Sequence, residues 1–245
     1  MPADVALSAI DEQRFGFRVA RASNVTAEDL HSILDFCHKK EIVLLIARCA
    51  TSELRAAQTM EAQGFLLMDT LMYYQRKSSP DQIPSNVAGD IVVRPFEAGE
   101  EDAVAEIAAK SFEGYQGHYH CDERLDPIKC NEIYTSWARR SCVVPNLADQ
   151  VIIAELDGVA AGFATLRLAS PEVGEGVLFG VSPSAQGRGI YRYLMIEGMK
   201  WCLDKRAERM VVSTQITNIA VQKVWSRLGF EPSYSSYTFH KWFDK

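Results

Sequence analysis

The 245-residue chain lacks the marks of a secreted or membrane protein. Its N-terminal stretch, MPADVALSAIDEQRFGF, has early acidic residues and no basic segment followed by an apolar one, unlike a signal peptide. No apolar run reaches the length of a membrane span, and the six cysteines form no CxxC pair. We therefore expect a cytoplasmic protein with reduced thiols and no membrane partner, rather than a disulfide framework.

The chain also has fewer basic than acidic residues. The 26 Lys and Arg residues are outnumbered by 32 Asp and Glu residues, which gives a formal net charge of −6. A protein that binds duplex nucleic acid usually carries a basic face, so we expect no nucleic-acid partner. The hydrophobic fraction of 47% is ordinary for a globular protein, and the length allows one large domain or two small ones.

The stretch KSSPDQIPSNVAGD, residues 77–90, interrupts the apolar patterns of the chain. It holds two prolines, three serines and one glycine, which predicts a linker. We place a small N-terminal α/β domain at residues 1–78, the linker at 79–90 and a second domain at 91–245.

On both sides of this linker, apolar strand patterns alternate with helical ones. Asp157-Gly158 separates two apolar runs and predicts a β-hairpin, so antiparallel pairs accompany the strand–helix alternation. The predicted fold class is therefore mixed α/β. The predicted strands are FGFRVARA, EIVLLIAR, GFLLMDTLMYYQRK, IVVRPF, QVIIAEL, VAAGFATLRLA, EGVLFGV, RMVVSTQ and GFEPSYSSYTFHKWF.

Two segments, one in each half, share an outline. AAQTMEAQGFLLMDTLMYYQRK and VQKVWSRLGFEPSYSSYTFHKW each read as a helix, a Gly-Phe pair and a strand that ends in aromatic and basic residues. Both chance and an internal duplication account for the likeness, since a glycine commonly ends a helix before a strand.

A glycine-rich turn, GVSPSAQGRGIYRYLM, joins an apolar strand to a helix. A helix N-terminus presents unpaired backbone N–H groups and partial positive charge, and glycines let an anion approach the backbone closely. Arg188 adds a charged donor suited to phosphate. The pattern is neither GxxxxGK[ST] nor GxGxxG in a βαβ frame, so a different pyrophosphate site is predicted.

The turn resembles the acyl-CoA loop of the GNAT acyltransferase family, [QR]xxGx[GA], with Gln186 at its first position. A second family signature, which runs from Asn218 through Val221 and Trp225 to Gly229-Phe230, follows in the right order. The resemblance implies a GNAT fold, acyl-CoA as cosubstrate and no metal. The residues that it implies for cofactor binding are Phe179, Gly180, Val181, Gln186, Gly187, Arg188, Gly189, Ile190, Tyr191, Arg192, Asn218 and Trp225.

Two positions depart from the family pattern. Tyr191 stands where the loop usually has a small residue, and Trp225 replaces the tyrosine that commonly protonates the departing CoA thiolate. An indole N–H donates hydrogen bonds but is not a useful acid near pH 7. The thiolate therefore leaves either with hydrogen-bond help from Trp225 alone or with a proton from water or another hydroxyl.

The stretch FEGYQGHYHCDERLDPIKCNEIYTSWARR is rich in side chains that recognise polar ligands, and in the family this region lines the acceptor site. One of two histidines, His118 or His120, is predicted as the base that takes the amine proton. The HxH spacing also fits a metal, but no further ligand cluster surrounds it. A surface loop with satisfied aromatics is the alternative. The predicted substrate-binding residues are Tyr115, His118, His120, Asp122, Tyr134 and Trp137.

The layout of the whole chain resembles the GNAT enzymes that acylate nucleotide-linked amino-deoxysugars, such as the dTDP-fucosamine acetyltransferase group. That resemblance implies a smaller, degenerate GNAT-like first domain. It also implies direct transfer of an acetyl or other short acyl group, 3-hydroxybutyryl included, to a sugar amine, with the oxyanion held near Phe179. The alternatives are a GNAT enzyme for a protein or small-molecule amine and a catalytically decayed CoA-binding protein. The oligomeric state stays open, with a homodimer as one alternative.

Overall fold

The computed structural model describes residues 4–85 and 90–243, except for the side chain of Gln82. The first half contains four strands and three helices over the described residues. Five of these seven elements follow the predicted pattern. The elements are β1 (Asp4–Leu7), α1 (Ala9–Phe15), β2 (Val19–Ser23), α2 (Leu30–Lys39), β3 (Leu44–Ala50), α3 (Leu54–Ala62) and β4 (Leu66–Lys77).

The first two elements, β1 and α1, were not predicted from the sequence. They have four and seven residues, too few to show a period of two or of 3.6 clearly. Tertiary contacts hold them instead. β1 pairs with β2, and Asp11 of α1 is buried at 2% exposure against residues from both halves of the chain.

The second half follows the predicted order of strands and helices. Asp157 and Gly158 both have positive φ, 53° and 76°, as a two-residue hairpin turn requires, so the predicted hairpin is confirmed. The elements are β5 (Ile91–Pro95), α4 (Glu101–Ser111), α5 (Pro127–Val143), β6 (Gln150–Leu156), β7 (Val159–Ser170), β8 (Val173–Val181), α6 (Ile190–Asp204), β9 (Arg209–Gln215), α7 (Ile219–Arg227) and β10 (Glu231–Trp242).

The ten strands of the described residues join in one mixed sheet, in the order β1-β2-β3-β10-β4-β9-β8-β7-β6-β5. The pairs β2–β3 and β8–β9 are parallel, and the other pairs are antiparallel. The mixed α/β class is therefore confirmed. At the centre of the sheet the final strands of the two halves are exchanged, because β10 pairs with β3 while β4 pairs with β9.

The two halves repeat one topology. Each has an antiparallel strand pair, then a parallel pair joined by a helix, then a helix and a strand that crosses to the other half. The two similar segments with a Gly-Phe pair thus form equivalent connections, α3 to β4 and α7 to β10. The first half is the smaller copy because it has no counterpart of β5, β6, α4 and α5 among the described residues.

The proposed division at residues 78 and 91 stays a prediction, since the sheet itself runs continuously through both halves. Residues 86–89 of the predicted linker lie outside the described residues, as do 1–3 and 244–245 at the domain ends. Within the described part of the linker, Pro80–Gln82 forms one 3-10 turn. No helix among the described residues has the length and apolar character needed to span a bilayer.

The parallel strands β8 and β9 separate partway along their length. They pair only from Val173 to Gly176 on β8, opposite Arg209 to Val212 on β9. The next residue, Val177, is an extra residue in the β7–β8 ladder, where Thr165 pairs with Leu178 and Leu166 with Gly176. A bulge bends its strand and increases the local twist, so β8 turns away from β9 at this point. The result is a gap between the ends of the two strands.

Helix α6 fixes one wall of this gap. It buries more than half of its length, including Leu194, Met195 and Met199, against strands of the second half. Fully burying a side chain of this size contributes roughly 1.5–3 kcal/mol. The N-terminus of α6 is thereby held beside the gap by its own packing.

Candidate active site

A cavity of about 860 Å³ occupies the gap between β8 and β9. Its walls come from the end of β8, the turn before α6, the starts of α6 and α7 and the segment after α4. The structure brings most of the predicted site residues to this cavity. Those that line it are Tyr115, Phe179, Gly180, Val181, Gln186, Gly187, Gly189, Ile190, Tyr191, Arg192 and Asn218.

Strand β8 presents unpaired backbone groups to the cavity. The N–H of Ser182 donates to the carbonyl of Ala161 at 2.8 Å, so the N–H and C=O groups of Gly180 and Leu178 also face β7. Those of Phe179 and Val181 point the other way, where β9 no longer pairs with β8. The side-chain amide of Gln186 donates to the Val181 carbonyl at 3.4 Å, which agrees with this direction. The N–H of Phe179 is therefore available to an oxygen of a ligand.

The glycine-rich turn has the backbone conformation that its sequence predicted. Gly187 and Gly189 have φ of +76° and +89°, and Gly189 is the N-cap of α6. An L-residue with a side chain is strained in this region. The first N–H groups of a helix have no partner within it, so this turn aims donors and the positive end of α6 at the cavity.

Three arginines differ in their relation to the cavity. Arg188, predicted to bind the cofactor, is exposed and does not line the cavity. Arg192 does line it and donates to the carbonyl of Ser85 at 3.3 Å. Arg227, on α7, also lines it although the sequence analysis did not single it out. The cationic groups at the cavity are thus Arg192 and Arg227.

Asn218 caps helix α7 at the cavity wall. Its side-chain oxygen accepts from the Val221 N–H at 3.4 Å, and its amide donates to Thr214 at 3.0 Å. An asparagine at this position satisfies one of the open N–H groups of the helix. Asn218 therefore positions the α7 face that borders the cavity.

Tyr191 and Trp225, the two departures from the family pattern, contact each other. Trp225 is 2% exposed and does not line the cavity, but its indole N–H donates to the Tyr191 hydroxyl oxygen at 3.0 Å. Burial raises the pKa of Tyr191, and the hydrogen bond from Trp225 opposes part of that increase. An indole is only a donor, so the Tyr191 proton remains free for another acceptor.

The predicted acceptor residues divide into two groups. Tyr115 lines the cavity, and burial raises its pKa to about 12. Tyr134 stacks on Phe112 with ring centroids 4.3 Å apart, and Trp137 packs in the same apolar cluster. Tyr134 and Trp137 thus support the cavity wall from behind rather than line the cavity.

His118 belongs to a buried hydrogen-bonded chain away from the cavity lining. Its Nδ1 lies 2.9 Å from His240 Nε2, and His240 Nδ1 lies 2.6 Å from the Asp122 carboxylate. Burial first, and then the nearby cations, hold the pKa of His118 well below its usual value. Burial opposes ionisation of Asp122 as well, but hydrogen bonds from His240 and Trp242 keep its pKa low. These hydrogen bonds hold the segment after α4 in place. Asp122, like His118, does not line the cavity.

His120 is also displaced from the predicted role. Its ring accepts from the Gly117 N–H at 3.3 Å and lies 3.2 Å from the Asn131 side chain, and it does not line the cavity. Both histidines hold their own segment in place, and their assignment as the base stays a prediction. Within the part of the chain that is described, no three His, Cys, Asp or Glu side chains are grouped as metal ligands.

About half of the residues that line the cavity were not among the predicted site residues. The signal for the α7 members was present, because Ala220, Val221, Val224, Arg227 and Leu228 follow helical spacing on one face. The other residues lie on loops, in a 3-10 turn, at the end of α4 or at a strand end, and they carry no apolar periodic signal. They are Ser111, Phe112, Gly114, Gln116, Ala185, Gln215 and Thr217.

Residues 103–230 match the acetyltransferase (GNAT) family, which is more than half of the chain. The chain belongs to this family. It is 26% identical over 148 residues to the spore coat polysaccharide biosynthesis protein SpsD of Bacillus subtilis, a match that covers 60% of this chain and 50% of that protein.

A second relative is named for a different activity. The chain is 26% identical over 200 residues to the mycothiol acetyltransferase of Acidothermus cellulolyticus, covering 74% of this chain and 57% of that protein. The chain thus spans about half the length of these two relatives. A GCN5-related N-acetyltransferase from Sphaerobacter thermophilus superposes with a TM-score of 0.68 at 15% identity, covering 98% of this chain and 76% of that one. The predicted GNAT fold is confirmed over both halves.

The glycine turn gives a first prediction. Gly189→Val places a β-branched residue at φ +89° and should weaken acyl-CoA binding at least tenfold, about 1.4 kcal/mol, by calorimetry. Gly99→Val is the matched control, since Gly99 has φ +102° with open space around it and does not line the cavity. Native affinity in a folded Gly189 variant would contradict the assignment of this turn.

The buried histidine gives a second prediction, on stability. The folded-state pKa of His118 is well below the usual 6.5, so below pH 6.5 the unfolded chain binds a proton that the folded chain does not. This group therefore lowers the free energy of unfolding as pH falls below 6.5, with a slope approaching about 1.4 kcal/mol per unit. His118→Gln should reduce that slope in urea unfolding between pH 6.5 and 5, whereas His31→Gln, at an exposed site, should keep it. Equal slopes in all three proteins would contradict the buried, neutral state of His118.

Proposed function

We propose that the protein transfers an acetyl or another short acyl group from acyl-CoA to the primary amine of an amino sugar, by direct attack without an acyl-enzyme. The observation that carries this proposal is the cavity at the β8–β9 gap, which is lined by Phe179, with its free backbone N–H, and by Tyr191. The reactive groups of a thioester need both, one for the developing oxyanion and one for the departing sulfur.

The substrate acyl-CoA binds along the two walls of the gap. Its pyrophosphate lies at the N-terminus of α6 against Gly187 and Gly189, where the backbone approaches an anion without a side chain in between. Arg192 and Arg227 add positive charge to the same cavity. The thioester carbonyl faces β8, and the Phe179 N–H stabilises the oxyanion that forms when the amine attacks.

Tyr191 is the acid that protonates the departing thiolate. The C–N bond forms as the C–S bond breaks, and the electron pair of that bond goes to sulfur. The attacking nitrogen, which is cationic once the C–N bond has formed, loses one N–H proton to solvent. The hydroxyl proton of Tyr191 passes to the sulfur, and the indole N–H of Trp225, 3.0 Å from the phenol oxygen, stabilises the phenolate until solvent returns a proton to it. A CoA thiol has a pKa near that of cysteine, about 8.5, so the thiolate is a tolerable leaving group and the acid accelerates its departure without being essential.

The amine arrives at the thioester already neutral. Among the described residues that line the cavity there is no carboxylate and no imidazole. Solvent therefore takes the amine proton before or during entry. We propose solvent here as the base in place of His118 or His120.

The amino-sugar acceptor rests on two lines of support. The relative from Bacillus subtilis is named for polysaccharide biosynthesis, and the sequence layout resembles enzymes that acylate nucleotide-linked amino-deoxysugars, dTDP-linked ones among them. The second candidate acceptor is the amine of a mycothiol precursor, since the longer match is to a mycothiol acetyltransferase.

An acceptor panel tests this proposal. Acetyl-CoA and 3-hydroxybutyryl-CoA are each offered with dTDP-linked and UDP-linked 4-amino-deoxysugars, glucosamine, cysteinyl-glucosaminyl-inositol, a lysine peptide and cyclohexylamine, and free CoA thiol is measured. We expect the highest kcat/KM with an amino sugar. Preference for the lysine peptide or cyclohexylamine would contradict the acceptor class, and preference for the cysteinyl compound would select the second candidate.

The acid assignment gives a kinetic prediction. Tyr191→Phe should lower kcat roughly 10²-fold, at the low end for a general acid, and leave the acyl-CoA dissociation constant within twofold. Trp225→Phe keeps the phenol and removes one hydrogen bond to it, so kcat should fall by about tenfold or less. Because Trp225 acts through Tyr191, the double variant should be no slower than Tyr191→Phe alone.

Tyr193→Phe is the matched control, since Tyr193 lies two residues further on the same helix and does not line the cavity. It should keep the native rate. Additive losses in the double variant, or a native rate in Tyr191→Phe, would contradict the assignment of Tyr191 as the acid.

A further inference from the structure

Four buried polar atoms without a hydrogen-bond partner are concentrated on three adjacent strands. They are both carboxylate oxygens of Asp69 on β4, the side-chain carbonyl oxygen of Gln215 on β9 and the hydroxyl oxygen of Ser236 on β10. Among the described residues, two further such atoms belong to Thr165 and Trp201, elsewhere in the second half. Buried polar groups in folded proteins are nearly always paired, so a cluster of exceptions calls for an explanation.

The sheet register puts these three side chains on one face. Leu71 of β4 is paired with both Gln215 and Ser236, and paired residues point to the same side of a sheet. Asp69 lies two residues before Leu71 and is paired with Thr238, so it shares this face. Neighbouring strands are about 4.8 Å apart and alternate residues about 7 Å apart, which sets the three side chains within roughly 10 Å of one another.

This cluster adjoins the acyl-CoA cavity at one end. Gln215 lines the cavity together with Tyr115. The segment around Gly117 lies over Gln215, because a Cβ built on Gly117 would be 3.6 Å from the Gln215 amide nitrogen and 2.8 Å from the Tyr134 hydroxyl. The raised pKa values of Tyr115 and Tyr134 result mainly from burial, but the negative charge of Asp69 adds to both. Asp69 is therefore close to Tyr115, which lines the cavity, and to Tyr134, which supports the wall from behind.

All four unpaired atoms can accept hydrogen bonds. Carboxylate and amide carbonyl oxygens only accept hydrogen bonds, and the serine hydroxyl accepts as well as donates. Leaving such groups buried and unpaired costs stability, so selection for folding alone would not keep a carboxylate here. A ligand that supplies several donors would satisfy all three, whereas a phosphate or carboxylate group would be repelled by Asp69.

We propose that Asp69, Gln215 and Ser236 form the subsite that binds the acceptor. Asp69 accepts a hydrogen bond from the amine after solvent has taken the amine proton, and Gln215 and Ser236 accept from neighbouring hydroxyls. The ligand class is a primary amine flanked by hydroxyl groups, as on an amino sugar, and its anionic part, when present, lies outside this cluster. The inference rests on the proposed transfer reaction, and it assigns the residues that recognise the acceptor, two of which come from the exchanged strands β4 and β10.

Asp69→Asn is the first variant that tests the subsite, with glucosamine and a dTDP-linked 4-amino-deoxysugar as probes. The amide keeps the shape and removes the charge, so we expect the KM for the amine to rise at least tenfold while the acyl-CoA dissociation constant stays within twofold. The melting temperature should stay equal or rise, because two side-chain oxygens without hydrogen-bond partners are replaced by an amide. A residue with a merely structural role would lower the melting temperature and leave the KM unchanged.

Ser236→Ala and a matched carboxylate control complete the test. Ser236→Ala should raise the KM for glucosamine three- to tenfold and leave that for cyclohexylamine, which has no hydroxyls, unchanged. Asp204→Asn, at the exposed C-terminal end of α6 and about 20 Å of helix away from the cavity, should match the native enzyme throughout.

The outcomes separate this inference from the proposed acceptor. If amino sugars are turned over and Asp69→Asn keeps the native KM, the subsite is wrong and the proposed function stands. If the native protein prefers another amine in the panel, such as the lysine peptide, the acceptor class is wrong, and a tenfold rise in KM for that amine in Asp69→Asn still supports an amine site at Asp69. Calorimetry of glucosamine with the CoA-saturated protein gives a readout without turnover, and failure of the native protein to bind would overturn the subsite.

Discussion

The separation of β8 from β9 is the constraint on which the rest of the site depends. Each strand keeps its outer partner, because β8 stays paired with β7 and β9 stays paired with β4 beyond the point where the two part. The extra residue Val177 bends β8 at that point, so backbone groups that would bond across a regular sheet are free instead. A regular ladder here would close the cavity and consume the Phe179 N–H.

The exchange of β4 and β10 brings residues from both halves of the chain beside the site. β9 ends beside the cavity and is held there by β4, which comes from the first half of the chain. β10 in turn lies between β3 and β4, so Ser236 reaches the same face as Asp69 and Gln215. The smaller first half therefore contributes a strand and a carboxylate to the neighbourhood of the cavity, rather than a separate site of its own.

One interaction explains why both Tyr191 and Trp225 depart from the family pattern. A large residue in the glycine turn and an indole in place of a phenol each count against transferase chemistry when taken separately. Their 3.0 Å hydrogen bond puts a phenol at the cavity and leaves its proton free. The two departures were the main support for the alternative of a decayed CoA-binding protein. That support is lost, because both residues belong to one hydrogen-bonded pair.

The sequence by itself determined the mixed α/β class, the order of the long strands and helices, the Asp157-Gly158 hairpin and the glycine turn before α6. These features depend on local periodicity and on the backbone freedom of particular residues, which are written in short stretches of chain. Tertiary structure alone decided that His118 pairs with His240 and is buried, that Val177 opens the gap and that Asp69, Gln215 and Ser236 share a face. Each of these depends on strand register or on contacts between residues more than a hundred positions apart, and no local pattern encodes them.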